Sequence, residues 1–172
     1  DYEPPFKTVL YTSANDGKSW IHVSDITPSG TGESALAYLD GGELLAVLGD
    51  DIAGEKTYLR RSQDRGKNWG ELQDVTDTLG VLGRPKLQTF PDEPNRLYLY
   101  GRDHIRGLGG YTVLYYSDDK GVTWSKKFYP GVIAYPDTGY SALEKRTDGN
   151  FYMLSYGGTS AWANIKEYIF GK

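Results

Sequence analysis

Short runs of alternating hydrophobic and polar residues recur along this chain, and polar, glycine-rich segments separate them. Alternation with a period of two predicts half-buried β-strands, and glycine, asparagine and aspartate between the runs favour tight turns. The pattern therefore predicts a series of antiparallel hairpins. The predicted strands are 7–12, 21–23, 35–39, 44–48, 57–61, 72–75, 86–90, 96–100, 112–116, 126–129, 140–144, 151–156 and 165–170.

One eight-residue pattern of serine, aspartate or asparagine, glycine and tryptophan occurs three times, and we call each copy a box. An acidic or amide oxygen can accept hydrogen bonds from the backbone of its own turn, and glycine can adopt positive φ. The tryptophan can then pack between neighbouring sheets. A calcium loop would need more oxygen ligands, so the boxes are predicted to clasp hairpins. They are box 1 (Ser13–Trp20, with Asn15), box 2 (Ser62–Trp69, with Asp64) and box 3 (Ser117–Trp124, with Asp119).

The spacing of the boxes predicts the architecture. Their first serines are 49 and then 55 residues apart (62 − 13 and 117 − 62), close to the length of a four-stranded propeller blade. We therefore predict an all-β fold of four-stranded antiparallel propeller blades that form an incomplete ring. The predicted divisions are 1–27 for the end of one blade, 28–77 and 78–131 for two blades, and 132–172 for an incomplete last blade.

The number of predicted blades has a consequence for partners. Closed propellers have roughly four to eight blades, and this chain accounts for about three. An open ring would leave exposed strand edges, which favour association. We therefore expect either further blades upstream of Asp1 or self-association of copies to close the ring.

Composition narrows the possible partners. A net charge of −4 and a pI near 5.2 argue against nucleic acid as the main partner. The chain has no cysteine and only two histidines, so neither a disulfide nor a zinc site is expected, and no cofactor is predicted. No apolar run is long enough for a membrane span, and the first five residues do not resemble a signal peptide. Most of the 15 tyrosines are expected to line strands.

The boxes, the pair Gly32-Glu33 before a hairpin, and the segment 137–143 together resemble the sialidase (neuraminidase) superfamily. The resemblance spans nearly the whole chain and implies the C-terminal half of a six-bladed propeller. The boxes alone are less specific, because they also occur in sortilin-type and other propellers. The Tyr-Ser-X-Leu of Tyr140 to Leu143 is more specific, since it is similar to the motif that holds the family's nucleophilic tyrosine.

The resemblance implies that Tyr140 is a nucleophile and that Glu33 is its base. Each residue stands just before the first strand of its blade, so both are expected at the same end of the propeller axis. A phenol with a pKa near 10 is a weak nucleophile, and a carboxylate can remove its proton as attack begins. A tyrosine also avoids a charged nucleophile beside an acidic sugar. The alternative is that the two are an ordinary strand residue and an ordinary turn residue.

The family also holds the substrate carboxylate with three arginines, whose guanidinium groups bind carboxylates bidentately. Arg106 best fits the third of these, Arg102 is a competing choice, and Asp137 is a further substrate-binding candidate. The second arginine should follow the strand 44–48, where the chain has Gly49 and then two aspartates. The first arginine and the family's acidic proton donor would belong to upstream blades.

Three functions remain open at this point. The first is a sialidase-like, exo-acting, retaining glycoside hydrolase that acts on a glycan. The second is a non-catalytic propeller that binds glycans or proteins, because fold does not determine function. The third is a glycosidase of the same fold for a sugar that lacks the sialic-acid carboxylate, and the missing arginine favours it. The family resemblance makes a secreted or periplasmic location plausible.

Overall fold

The computed structural model describes residues 7–27, 32–50, 56–105, 109–125, 128–129, 140–159 and 162–170. These residues form twelve β-strands and one short α-helix. The elements are β1 (Val9–Thr12), β2 (Ile21–Asp25), β3 (Glu33–Tyr38), β4 (Leu44–Asp50), β5 (Lys56–Ser62), β6 (Gln73–Asp74), α1 (Thr76–Leu79), β7 (Leu82–Phe90), β8 (Glu93–Ile105), β9 (Gly109–Ser117), β10 (Ala142–Lys145), β11 (Phe151–Thr159) and β12 (Trp162–Phe170).

The strands form four antiparallel sheets in which neighbours in sequence are neighbours in space. The order is β1-β2, then β3-β4-β5-β6, then β7-β8-β9, then β10-β11-β12. In the third sheet, Phe128 bridges Leu114 of β9 and so marks the place of a fourth strand. The predicted all-β fold of antiparallel blades, a partial β-propeller, is therefore confirmed. We refer to these sheets as the first to fourth blades.

The hydrophobic core lies between the blades. One cluster joins the second and third blades and contains Leu45, Leu59, Leu82 and Leu99. A second cluster, around Met153, joins the third and fourth blades. A third joins the first and second blades. The second and third sheets pack against a neighbour on both faces. Their inner strands β3 and β7 lie side by side, so residues at the ends of these strands share one surface.

The boxes form the hairpin clasps that the sequence predicts. In box 2, Ser62 Oγ accepts the Gly66 N–H at 2.8 Å, and Asp64 Oδ1 accepts the Asn68 N–H at 2.8 Å. Gly66 has a φ of 82°, the conformation that glycine adopts without strain. The other two boxes repeat these bonds, with the Asn15 amide oxygen in place of the carboxylate in box 1.

The second and third boxes also dock on the preceding blade. Trp69 Nε1 donates to Ser24 Oγ at 2.9 Å, and Trp124 packs against the cluster between the second and third blades. Arg61 Nη2 donates to the Lys120 carbonyl of box 3 at 2.7 Å, so this arginine also joins the second blade to box 3. Trp20 of box 1 differs, because it is 63% exposed.

Several strand bounds differ from the prediction: β7 begins at Leu82 instead of Lys86, and β10 begins at Ala142 instead of Tyr140. Two further features also depart from it. Strand β8 begins at Glu93 instead of Arg96, since the Phe90–Glu93 pair closes the hairpin through a two-residue turn. The helix α1 was not predicted, and the carboxylate of Asp74 helps to hold it by accepting the N–H of Thr76 at 3.1 Å. Neither change alters the order of the strands or the positions of the blades.

The aspartates of boxes 2 and 3 make the stability of the fold depend on pH. Hydrogen bonds from Asn68 hold the pKa of Asp64 at about 2, and hydrogen bonds from Thr123 hold that of Asp119 at about 2. An unfolded aspartate titrates near 3.9, so this contribution is complete above about pH 4 and is lost as the pH falls towards 2. We expect the melting temperature to fall over that interval, as calorimetry or circular dichroism will measure.

The matched control for this effect is present in the chain. Asn15 accepts the Ser19 N–H at 2.9 Å, so an amide can hold a box without titrating. The double variant Asp64→Asn/Asp119→Asn should keep its fold and show a smaller loss of melting temperature between pH 4 and 2. An unchanged acid slope in this variant would contradict the assignment.

Candidate active site at the ends of the inner strands

The strand register places the predicted site residues at the end of the blades opposite the boxes. In β4, Leu44 pairs with Ser62 of box 2, whereas Gly49 at the other end pairs with Glu33. In β8, Leu97 pairs with Ser117 of box 3, and Arg102 lies five residues farther along the same strand. Glu33 and Arg102 therefore both lie at the end of the blades away from the boxes.

Glu33, the first residue of β3, is engaged by Arg84 of the next blade. The backbone N–H of Arg84 donates to Glu33 Oε2, and Arg84 Nε lies 3.4 Å from Glu33 Oε1. Both side chains are largely shielded from solvent, at 25% exposure for Glu33 and 18% for Arg84. A single neighbouring residue thus contacts both carboxylate oxygens.

Tyr140, just before β10, is reached by the same arginine. The Arg84 guanidinium carbon lies 4.1 Å from the centroid of the Tyr140 ring, within the range of a cation–π contact. The tyrosine is 61% exposed, so its ring is open to a ligand from solvent. Glu33, Arg84 and Tyr140 come from the second, third and fourth blades, and Arg84 is the contact that the two predicted residues share.

The backbone at Arg84 is unusual. Its φ is 52°, which is uncommon for a residue with a side chain, and it lies in a break of the β7–β8 register between Gly83 and Lys86. Such a conformation costs about 1–3 kcal/mol and persists only where the surroundings impose it. The neighbouring Gly83 is tightly packed, because a Cβ there would lie 2.6 Å from His104 Nε2 and 3.2 Å from Glu33 Oε2.

Arg102 is buried, unlike Tyr140, and is not accessible from solvent. It is only 5% exposed, and its Nε donates to His104 Nε2 at 2.9 Å. The next residue, Asp103, is buried and accepts a hydrogen bond from the Tyr129 hydroxyl at 3.0 Å. Burial and the Asp103 carboxylate raise the pKa of Tyr129 to about 12. Of these residues, His104 lies nearest the group, because its Nε2 faces Gly83 beside Glu33.

A chain of buried hydroxyl groups supports the segment that carries Tyr140. Ser141 Oγ donates to Ser155 Oγ at 3.1 Å, and Ser155 Oγ lies 2.6 Å from Thr112 Oγ1. All three residues are buried. Because buried hydroxyl groups are held by their partners, this chain links the start of β10 to β11 and to the third blade.

Position 49 has no room for a side chain. A Cβ added at Gly49 would overlap the carbonyl oxygen of Leu82 on the adjacent inner strand. The departure from the family's second arginine therefore has a physical basis at this residue. Arg106 and Asp137, the other predicted substrate-binding residues, lie outside the described residues.

The sequence analysis did not identify Arg84, although a signal for it was present. Glu33 and Tyr140 were identified from their resemblance to family motifs, and each was expected just before the first strand of its blade. The same position of the third blade is filled by Gly83-Arg84-Pro85 at the start of β7. Applying the rule to every blade would have placed Arg84 beside the other two.

The described residues contain neither a membrane-spanning helix nor a metal-binding cluster. None of their helices is long and apolar enough to cross a membrane. Within the same parts of the chain, no group of three or more histidine, aspartate or glutamate side chains is placed to hold a metal ion.

Comparisons with known proteins find the fold in solved structures. An α-L-arabinanase from Penicillium chrysogenum, complexed with arabinobiose, matches 98% of this chain and 55% of its own, with 19% identity and a TM-score of 0.64. An α-L-arabinofuranosidase from Fusarium graminearum, complexed with an iminosugar inhibitor, matches 100% and 56%, with 17% identity and a TM-score of 0.70. A sialidase from Trypanosoma rangeli, complexed with sialic acid, matches 95% and 26%, with 18% identity and a TM-score of 0.64.

No protein-family model matches the sequence, and the curated proteins contain no match to it. The chain spans 26 to 56% of the length of the three solved structures. At these identities the likeness concerns the fold, and it agrees with the strand order and blade packing described above. The chain is therefore part of a β-propeller with the sialidase-like fold.

Proposed function

We propose that this chain carries the nucleophile and base of a retaining glycoside hydrolase, with Tyr140 as nucleophile and Glu33 as base. The observation that supports this proposal is the shared contact with Arg84, which lies 3.4 Å from Glu33 and 4.1 Å from the Tyr140 ring centroid. One guanidinium group thus spans the two side chains. Nucleophilic catalysis by tyrosine needs a base near its phenol, and the shared contact with Arg84 supports this pairing of Glu33 with Tyr140.

The proposed reaction has two displacements. In the first, Tyr140 Oη bonds to the anomeric carbon, its proton passes to Glu33, and the bond to the leaving-group oxygen breaks. In the second, water attacks the anomeric carbon, gives its proton to the acidic side chain that protonated the leaving group, and displaces the phenol oxygen, which regains its proton from Glu33. Two inversions at one carbon give net retention.

Protonation of the leaving group requires an acid from a further blade in this proposal. The resemblance assigns that acid to blades upstream of Asp1. The exposure of Trp20 supports a further blade, because the equivalent Trp69 is covered by the blade before it. An additional blade packed on box 1, or a second copy of this chain, would cover Trp20 in the same way.

The proposal defines the type of reaction more closely than it defines the sugar. A clamp for the sialic-acid carboxylate needs several arginines, and Gly49 has no space for the second one. Arg84 is already paired with Glu33, and Arg102 is buried against His104. These observations favour the third function considered from the sequence, a glycosidase for a sugar without a carboxylate. Among the solved structures with this fold, one has bound arabinobiose and another sialic acid.

Hydrolysis of fluorogenic glycosides by the full-length protein tests this proposal. The assay compares 4-methylumbelliferyl α-sialoside with the α-L-arabinofuranoside, and we expect turnover of at least one, with the arabinofuranoside favoured. Glu33→Gln should lower kcat about 100-fold, because the amide keeps the hydrogen bond from Arg84 but cannot take a proton. If Glu33→Gln turns over as fast as wild type, or neither glycoside is cleaved, the proposed catalytic role fails.

The 172-residue chain alone provides a control for the missing acid. It should bind the same glycosides weakly and hydrolyse them far more slowly than the full-length protein. Full activity of the short chain would contradict the assignment of the acid to another blade.

A further inference from the structure

We propose that Arg84 is a positioning residue, and that its strained backbone and guanidinium hold Glu33 and Tyr140 in their reactive arrangement. The inference rests on the proposed function, and it assigns a role to a residue outside the resemblance-based site. It also explains three independent features of Arg84: its positive φ, its double contact with Glu33 and its stacking on Tyr140.

The contact with Glu33 fixes the orientation of a carboxylate. The backbone N–H of Arg84 donates to Oε2, while its Nε faces Oε1 at 3.4 Å. The backbone hydrogen bond anchors Oε2, and the Arg84 side chain lies within ion-pair distance of Oε1, so both carboxylate oxygens face Arg84. A base must lie within hydrogen-bond reach of the proton that it removes, so a fixed carboxylate is better placed for that step.

The contact with Tyr140 serves the nucleophile. A planar guanidinium can face the aromatic ring while an edge nitrogen remains directed at the carboxylate, a geometry that a lysine ammonium cannot reproduce. As the phenol loses its proton during attack, negative charge develops on the tyrosine. A fixed cation 4.1 Å from the ring centroid stabilises that charge without rearranging.

The positive φ of Arg84 is the feature that makes both contacts possible. It accompanies the break in the β7–β8 register and turns the N–H of Arg84 towards Glu33 on the neighbouring inner strand. Close packing at Gly83, against His104 and Glu33, holds the backbone there. The strain therefore lies at the residue that joins the two proposed catalytic groups, as strained residues in active sites often do.

An ordinary surface ion pair in the same chain provides a contrast. Arg146 pairs with Asp148 at 3.0 Å and lies over the Tyr152 ring at 5.3 Å, so it makes the same two types of contact. Its side chain is exposed, and it lies in the β10–β11 turn, away from the site. Exposed pairs of this kind contribute little to stability. Arg146→Ala is therefore the matched control for Arg84→Ala.

The test measures kcat and KM of the full-length protein on the glycoside that the wild type hydrolyses. We expect Arg84→Ala to lower kcat about 100-fold with KM within about threefold, because the contacts act on the reacting groups and not on the sugar. Guanidinium added at tens of millimolar should restore kcat at least about tenfold in Arg84→Ala and should not stimulate the wild type. Arg84→Lys should lie between wild type and Arg84→Ala, and Arg146→Ala should match wild type.

Arg84→Gly separates positioning from folding. Glycine accepts the positive φ, so this variant should melt no lower than Arg84→Ala and yet lose the same kcat. The proposal is overturned if Arg84→Ala keeps kcat within about threefold of wild type while Glu33→Gln remains impaired, a result that leaves the proposed function intact. It is also overturned if guanidinium fails to restore kcat in the folded Arg84→Gly and Arg84→Ala variants. Wild-type kcat in both Arg84→Ala and Glu33→Gln would instead refute the proposed function.

Discussion

An alanine at position 49 should lower the melting temperature by roughly 6–12 °C, and an arginine there should prevent folding or lower it further. A Cβ at Gly49 would overlap the Leu82 carbonyl oxygen, and backbone atoms cannot yield as a flexible side chain can. Overpacking of this kind costs about 3 kcal/mol, near the upper end of the usual range. For a chain of this size each kcal/mol lowers the melting temperature by roughly 2–4 °C.

Gly70→Ala is the control for this prediction. A Cβ at Gly70 would lie 3.5 Å from the Arg61 carbonyl oxygen, an ordinary contact distance. Thermal denaturation followed by circular dichroism should therefore show a small change for Gly70→Ala and a large one for Gly49→Ala. Equal melting temperatures for the two variants would show that β4 and β7 can separate at no cost.

The prediction has a consequence for substrate choice. If Gly49 is required for the packing of β4 against β7, the second arginine of the sialidase pattern cannot be restored by substitution at this residue. A clamp for a sugar carboxylate would then have to come from another position or be absent. The close packing of β4 against β7 thus limits where a positively charged side chain can lie in the site.

The sequence predicted the architecture because its signals are local and repeated. A box fixes its own turn through Ser62, Asp64 and Gly66, with few contributions from the rest of the fold. Regular spacing of such turns then gives the order of strands and the number of blades. Sheet order and box geometry could therefore be derived from the printed residues.

The site could be predicted only in part, because it depends on contacts between blades. Glu33 and Tyr140 were identified from motifs, and their position at the start of inner strands placed them at one end of the propeller. Their link through Arg84 depends on a positive φ and on a register break in β7, and residue pattern shows neither. Burial of Arg102 against His104 likewise arises from packing that the strand prediction does not contain.

The proposed roles of the site residues follow the solvent exposure of their side chains. Tyr140 is open to solvent, Glu33 and Arg84 are shielded, and Arg102, Asp103 and the hydroxyl chain are buried. A ligand from solvent would meet the phenol first. The most exposed member of the group is therefore the one proposed to form a bond with the sugar, and its removal should have the largest effect on activity.

Tyr140→Phe in the full-length protein should lower kcat by at least about 1,000-fold while leaving glycoside binding within about threefold of wild type. The substitution removes one oxygen atom and keeps the ring that stacks on Arg84, so the packing of the site is preserved. An enzyme that needs the phenol oxygen loses turnover, whereas a glycan-binding propeller keeps its affinity and has no turnover to lose. Calorimetric titration and the fluorogenic assay together separate these cases.

The bond formed by Tyr140 can be tested directly with a glycosyl fluoride of the hydrolysed sugar that carries a second fluorine on the carbon next to the anomeric carbon. This reagent forms the glycosyl-enzyme and slows its hydrolysis, so intact mass should rise by one fluorosugar in wild type and stay constant in Tyr140→Phe. Peptide mapping should place the added mass on Tyr140. An adduct on Glu33 would reverse the two roles, because a carboxylate is the usual nucleophile of retaining glycosidases. Arg84, which contacts both residues, would then position the carboxylate for attack and the phenol as its partner.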